Sequence, residues 1–408
     1  MKRFALLALL LAYTSPLQAE KPADKPIFSG TGPRLELAKI GPQADVAIPA
    51  DFVKINVGES WQAKIDAHPR ASGFRIAAGV HKNQTIVPRL GMQFWGEPGA
   101  IVDGAGTTRY LLADDGASNL KFRNLVIRNY KAKFQDAVIG NCPGLMVENC
   151  EISGTLEGYG TYVGQHLVRS RLHHNAQGSW VVSKTDGSIV EDNEISHDNI
   201  PRVYTGYHAD WTTKLFETKN VKVRYNYVHD MNMIGIYSDV NNFGSEVHHN
   251  RIDKIAANGI EIAKGYDSVI HHNWVTRCQP SGGPDFKQAM GIKVYTSSNV
   301  HVHDNIVGDC WGGIFLQSDD RAGDFAAGKW QTKNCQVRNN KVSNCTVLAQ
   351  IRRGDDPLDT AGAEANNKYA LNAYQKGSAL GLFQINGDNL TWQQWQAAGR
   401  DKKGTFVP

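Results

Sequence analysis

Apolar and polar positions recur along this chain in a short, regular figure. Six positions read apolar, any, any, small or Asn, any, apolar. The figure occupies residues 122–127, 147–152, 167–172, 190–195, 223–228, 247–252, 270–275, 302–307 and 337–342. Its fourth position holds Leu125, Cys150, Ser170, Asn193, Asn226, Asn250, Asn273, Asn305 and Asn340. The start-to-start spacings are 25, 20, 23, 33, 24, 23, 32 and 35, so the longer copies are the same unit with loop insertions. A repeat of this period marks a solenoid. Each unit holds short Val- and Ile-rich stretches broken by Gly, Asn and Asp, which predicts strands rather than helices. One unit cannot bury its apolar side chains alone. Stacking units at the ~4.8 Å strand spacing buries a continuous core. The expected fold is all-β, a parallel β-helix. The Asn column then becomes an internal ladder, each amide bonding its neighbours at a sharp bend. Leucine-rich repeats, the competing solenoid, are excluded because their Leu-dominated motif is absent.

Segments such as Asn226-Tyr227-Val228-His229-Asp230 and Gly259-Ile260-Glu261-Ile262 resemble the right-handed parallel β-helix, or pectin-lyase-like, superfamily, and within it secreted bacterial proteins of polysaccharide metabolism. The resemblance covers roughly residues 70–355 and speaks for the scaffold far more than for the substrate. The ends suit a solenoid, whose terminal strands need covers. Trp61, Ile65 and His68 have helical spacing and predict an N-terminal helical cap. Residues 356–408 lose the repeat, and Trp392 and Trp395 predict a short helix in a C-terminal capping segment. The division expected is a signal peptide at 1–19, cap and first coils at 20–110, repeats at 111–355 and the C-terminal cap at 356–408.

Composition adds limits. The chain has 408 residues, 41% hydrophobic and 21% charged, too apolar for a disordered chain. Its formal charge of +4 gives no argument for nucleic acid or a membrane surface as partner. Lys2 and Arg3, an apolar run too short to span a bilayer, and Leu17-Gln18-Ala19 before Glu20 read as a cleaved secretory signal. A secreted or periplasmic protein is expected. Nothing in the sequence sets its oligomeric state.

A second figure precedes most ladder motifs: Gly178-Ser179-Trp180-Val181-Val182, Gly206-Tyr207-His208-Ala209-Asp210, Gly235-Ile236-Tyr237-Ser238-Asp239, Gly259-Ile260-Glu261-Ile262-Ala263, Gly291-Ile292-Lys293-Val294-Tyr295 and Gly313-Ile314-Phe315-Leu316-Gln317. Alternate strand residues face opposite ways. Ile236, Ile260, Ile292 and Ile314 are expected inside. One outward row then reads Tyr162, Trp180, His208, Tyr237, Glu261, Lys293 and Phe315. The next reads Val182, Asp210, Asp239, Ala263, Tyr295 and Gln317. By the resemblance, this sheet is the one whose outer face usually carries the active site. The insertions at 211–219, 279–288 and 319–333 would wall a cleft there.

The composition of the rows supports a polysaccharide or oligosaccharide partner. Tyr162, Trp180, Tyr237, Tyr295 and Phe315 are candidates for sugar stacking, with Gln317 for hydroxyl groups. Asp210, Asp239, Glu261, Lys293 and His208 are the candidate catalytic residues. Stacked acids ~5 Å apart repel, so a cation, a shared proton or a substrate must compensate. Hydrolysis by a carboxylate pair needs no cofactor. It stands slightly ahead, because three acids neighbour one basic group, while Arg352 is several coils away. The alternative is a lyase or C5-epimerase acting on a uronate, with Lys293, His208 or a Tyr as base or acid and Asp210, Asp239 and Glu261 as possible Ca²⁺ ligands. The segment at 207–210 is faintly similar to the Asp-Pro-His-Asp site of alginate epimerases but lacks its first Asp and its Pro. The polygalacturonase signatures Asn-Thr-Asp, Gly-His-Gly and Arg-Ile-Lys are missing. A non-catalytic carbohydrate-binding β-helix is the third reading.

Two further columns compete for attention. His248-His249, His271-His272 and His303-Asp304 fall in register before their ladder Asn residues, as a metal site or as stacked surface imidazoles. Cys278, Cys310 and Cys345 each lie five residues after a ladder Asn and are expected to stack inside, as thiols or with one disulfide. No Cys falls on the outward rows.

Overall fold

The structure is a computed structural model that describes residues 37–44, 47–113, 117–131, 138–140, 142–155, 157–161, 166–176, 178–199, 213–280, 289–319, 324–325, 328–352 and 365–408. The signal-peptide segment, Tyr162, His208 and Asp210 lie outside these residues.

From Glu157 onward each coil places one short strand in each of three sheets, whereas the described strands before it belong to the first two sheets. A representative coil runs Glu246–His248 in sheet 1, Arg251–Ile255 in sheet 2 and Ile260–Ala263 in sheet 3. The described strands form sheets of 13, 13 and 10 strands, in sequence order along the axis. Neighbouring coils pair in parallel, as Ile236↔Ile260↔Ile292↔Ile314 shows. One inward row of sheet 1 runs from Phe74, Phe94 and Phe122 through Val147 to Val337 and Tyr369. These side chains join one core that runs the length of the solenoid.

The bend between sheets 1 and 2 explains the Asn column. One residue there turns into the left-handed region, as at Tyr225 (φ 56°), His249 (φ 54°) and Asp304 (φ 55°). The next residue points inward and bonds along the stack. Each amide Nδ2 donates to the next Oδ1 from Asn193 through Asn226, Asn250, Asn273, Asn305 and Asn340 to Asn372, at 2.9–3.0 Å. The last rung is Asp401, whose Oδ2 accepts from Asn372 Nδ2 at 2.7 Å and from the Tyr374 hydroxyl at 3.0 Å. A donating ladder ends on a group that needs only to accept. The fourth-position residues Cys150 and Ser170 continue the column backwards: Cys150 N donates to Ser170 Oγ, and Ser170 N to Asn193 Oδ1.

Both expected helices are present. Helix α1 (Trp61–Asp66) is capped by Ser60 and buries Trp61 and Ile65; His68 lies beyond it. Helix α2 (Trp392–Ala397) starts with a Thr391/Gln394 capping box and buries Trp395 against Tyr369 and Phe383. All six cysteines are buried free thiols, and Cys278 N lies 3.4 Å from Cys310 Sγ, so the expected stack forms without a disulfide. Among the described residues, no helix is long and apolar enough to cross a membrane.

Candidate active site

Sheet 3 carries the predicted rows, and its register decides what they contain. The first outward row reads Val181, Lys214, Tyr237, Glu261, Lys293, Phe315 and Gln350. The second reads Ser183, Phe216, Asp239, Ala263, Tyr295, Gln317 and Arg352. Tyr237, Glu261, Lys293 and Phe315 therefore occupy the predicted row, and Asp239, Tyr295 and Gln317 the other.

Three expectations change. Trp180 is not an outward platform. It is 1% exposed and belongs to the core, as does Val182. Its strand is displaced by one residue from the Gly-anchored count, which sends each side chain to the opposite face. The slot expected for His208 and Asp210 is filled by the Thr213–Phe216 strand, which places Lys214 between Val181 and Tyr237. Lys214 thus stands where His208 was expected, and Phe216 stands beside Asp239 where Asp210 was expected. Phe315 does lie on the outer row but is 0% exposed, packed with Met290 and Val347. It is a packing residue rather than a sugar platform.

The glycines that begin these strands have a steric role. A Cβ on Gly259 would lie 2.7 Å from Gly291 O, and one on Gly313 2.2 Å from Leu348 O. Only hydrogen fits where successive coils approach so closely.

The outward acids are held by lysines. Asp239 is bridged by Lys214 Nζ at 2.8 Å on Oδ2 and Lys264 Nζ at 2.7 Å on Oδ1. Burial opposes its ionisation, but the charges of Lys214 and then Lys264 outweigh that and hold the carboxyl below its ordinary range. Glu261 faces Lys293 Nζ at 3.5 Å and accepts from Asn258 Nδ2 at 2.5 Å. Asn258 is fixed in turn because its Oδ1 accepts from Met290 N at 2.9 Å. Lys214 also lies 5.2 Å from the centre of the Tyr237 ring, and Lys293 4.3 Å from that of Tyr295. Tyr237 and Tyr295 are both buried, in a small cluster with Ile234, Ala257 and Ala263.

The more accessible edge follows from the long insertion. The Tyr295 hydroxyl donates to Asp319 Oδ2, and Gln317 Nε2 donates to Asp319 Oδ1 at 3.3 Å. Trp330 reaches back across the coils: Nε1 donates to Asn241 Oδ1 at 3.4 Å, and the ring lies 5.5 Å from Lys264 Nζ. Lys293, Gln317, Asp319, Trp330 and Lys264 are part-exposed. Lys214, Lys264, Asn258, Asp319 and Trp330 were not singled out from sequence. Lys214 had a partial signal: Val181, Lys214, Glu261 and Lys293 stand twelve residues before a ladder Asn and Trp180 thirteen, although Tyr237, in the same row, also stands thirteen before Asn250.

Of the three acids expected as calcium ligands, Asp239 and Glu261 are paired with lysines, and Asp210 lies outside the described residues. Among the described residues, no group of three or more His, Cys, Asp or Glu side chains is placed to hold a metal. A cation at Asp239 or Glu261 would have to displace ammonium groups already there.

A family model described as a right-handed beta helix region matches residues 112–279. The fold is that of the right-handed parallel β-helix. A mannuronic acid specific polysaccharide family 6 lyase from human gut microbiota aligns over 88% of this chain and 91% of its own, with TM-score 0.61 and 11% identity. The catalytic domain of a GH87 α-1,3-glucanase, solved with tetrasaccharides, aligns over 90% and 69%, with TM-score 0.58 and 11% identity. PfbA, a surface adhesin of Streptococcus pneumoniae, aligns over 82% and 89%, with TM-score 0.52 and 10% identity. No curated protein matches the chain in sequence. At these identities the likeness establishes the scaffold, which the three proteins put to different uses.

Proposed function

We propose that this protein is a carbohydrate-active enzyme that cleaves a uronate-bearing polysaccharide by β-elimination at the sheet 3 face. The observation that carries the reading is the presence of three lysines on this face: Lys214 and Lys264 pair with Asp239, and the part-exposed Lys293 pairs with Glu261. Counted from sequence, three acids beside one base favoured hydrolysis. With Lys214 in the row and Lys264 beside it, that preference reverses.

Elimination needs a cation to neutralise the sugar carboxylate, a base for the proton on the adjacent carbon, and an acid for the leaving oxygen. Lys293 is a part-exposed cation whose Nζ lies 4.3 Å from the centre of the Tyr295 ring. Tyr295 is the candidate base, its hydroxyl oriented by the hydrogen bond it donates to Asp319; it acts as tyrosinate, the form that the neighbouring Lys293 ammonium favours. Removing the sugar proton forms the carbon–carbon double bond as the carbon–oxygen bond to the leaving sugar breaks. The leaving oxygen takes a proton, which Tyr295 or water can return. Trp330 and Gln317 lie at the accessible edge, where a sugar ring and its hydroxyls would sit.

A glucanase neighbour keeps hydrolysis as a second reading. Against it, a hydrolase's general acid needs a raised pKa, whereas Asp239 is held low. The test is a panel of uronate and neutral polysaccharides, reading reducing ends together with ultraviolet absorbance of the new conjugated double bond. Both signals rising on a uronate, and both lost in Lys293→Ala and Tyr295→Phe, are expected. Reducing ends without absorbance would replace elimination with hydrolysis. Binding with neither signal would support a non-catalytic role.

A further inference from the structure

Six of the chain's fourteen histidines sit on three successive coils at one edge of sheet 1, away from the sheet 3 face. The outward row nearest the ladder bend is Arg224, His248, His271, His303 and Arg338, one residue per coil. His248 and His271 stack with centroids 4.9 Å apart, and His271 and His303 at 5.1 Å. The bend adds a second column, in which His249 and His272 stack at 5.0 Å. His301 lies on the same face, in the adjoining outward row.

The columns are coupled by shared protons. His248 Nδ1 lies 2.7 Å from His249 Nδ1, and His271 Nδ1 lies 2.8 Å from His272 Nδ1. A nitrogen–nitrogen hydrogen bond needs one donor and one acceptor. Each neutral pair therefore holds one proton between its Nδ1 atoms. A first added proton can enter at Nε2 of the donor ring and leave this bond intact. A second would place two N–H groups head to head. Each pair thus has room for one positive charge. His303 Nδ1 lies 2.7 Å from Asp304 Oδ2, a carboxylate that accepts, which places the ring hydrogen on Nδ1 and leaves Nε2 as the second nitrogen.

Other charges set the balance of the face. Arg224 is bonded to Glu191 at 2.6 Å; Glu246 lies 3.1 Å from His271 Nε2 and 3.8 Å from Lys222. Tyr225 packs on His248 and His249. Burial, chiefly, with neighbouring positive charge, holds His249 and His301 below the ordinary imidazole range. An anion lying along the strip would favour protonation of the imidazoles that face it.

We propose that this strip is a second, pH-gated binding site for a linear polycarboxylate, lying along the solenoid axis with its carboxylates facing the Arg224–His248–His271–His303–Arg338 row. The polymer class rests on the proposed function; the strip's own test does not. Repeated cations at the coil spacing suit a ligand that repeats one charge per sugar.

The test uses the full chain with polygalacturonate, alginate and neutral dextran, at about pH 5 and about pH 7.5. Calorimetry in two buffers of different ionisation heat reads affinity and proton uptake together. The expected result is uronate binding at least about tenfold tighter at the lower pH, with net proton uptake. The gain should disappear in His248→Gln/His271→Gln, while initial rates on short oligouronates stay at parent level. Arg338→Gln, which leaves the imidazole pairs intact, should weaken low-pH binding and reduce its salt dependence. A gain that survives the double substitution, binding without proton uptake, or equal binding to dextran would each overturn the proposal. Loss of elimination with pH-gated binding intact would refute the enzyme reading and leave the strip standing.

Discussion

Lys214→Met separates a site built on ion pairing from one that only packs a long side chain. The Lys214 and Asp239 side chains are 4% and 8% exposed, and their charged atoms are 2.8 Å apart. At an effective dielectric constant of ~20, that separation is worth about 6 kcal/mol of attraction, from which burial takes back several. Breaking a buried pair costs about 3–5 kcal/mol in general. Lys264 stays at 2.7 Å on the other oxygen, so about 3 kcal/mol is expected here. The pH dependence identifies the cause. Asp239 is held below its ordinary range in the fold, so its stabilisation is present above the unfolded value of ~3.9 and is lost as pH falls through the folded value. Without Lys214 the folded value rises, and the variant loses stability at higher pH than the parent. Urea midpoints measured across the acid range should differ most near neutrality and converge as Asp239 is protonated in both proteins. A difference below about 1 kcal/mol at neutral pH, or one constant with pH, would refute ion pairing as the role of Lys214.

Other outcomes follow from the same structure. Asn273 donates from Nδ2 to Val247 O, His271 O and Asn305 Oδ1, and accepts from Asn250 N and Nδ2. Asn273→Ala should cost about 4 kcal/mol through orphaned buried groups, and a thermal midpoint unchanged from the parent would contradict the ladder's role. Burial pushes the Cys150 and Cys335 thiols up to about 12 and those of Cys310 and Cys345 well above their ordinary value. A thiol reagent should therefore label the native protein only after unfolding; rapid native labelling would show these coils to be open. Burial pushes His248 down to about 4, so between that value and the ordinary 6.5 the unfolded chain binds more protons and stability falls as pH drops. His248→Gln should flatten this slope in urea midpoints, and an unchanged slope would remove His248 as its source.

The solenoid was legible in the sequence because its causes repeat within each coil. A ladder Asn, an apolar residue on either side and one strand length recur whatever the insertions between them. Each coil's interior contacts are therefore set by its nearest neighbours. The bend, the cysteine stack and both helices followed from such local patterns. The candidate site was less legible, because strand parity has a period of two and one miscounted residue reverses a face. Counting from the glycines put Trp180 outside and His208 and Asp210 in the row; counting back from the ladder would have put Val181 and Lys214 there. No count along one strand brings Lys264 to Asp239, Asp319 to Tyr295 or Trp330 to Asn241. Those contacts join different coils through bends and an insertion whose path the repeat does not specify. The chain's local repetition determined the scaffold, and tertiary structure decided which charges meet on it, because charge pairing depends on ångström-scale placement between coils.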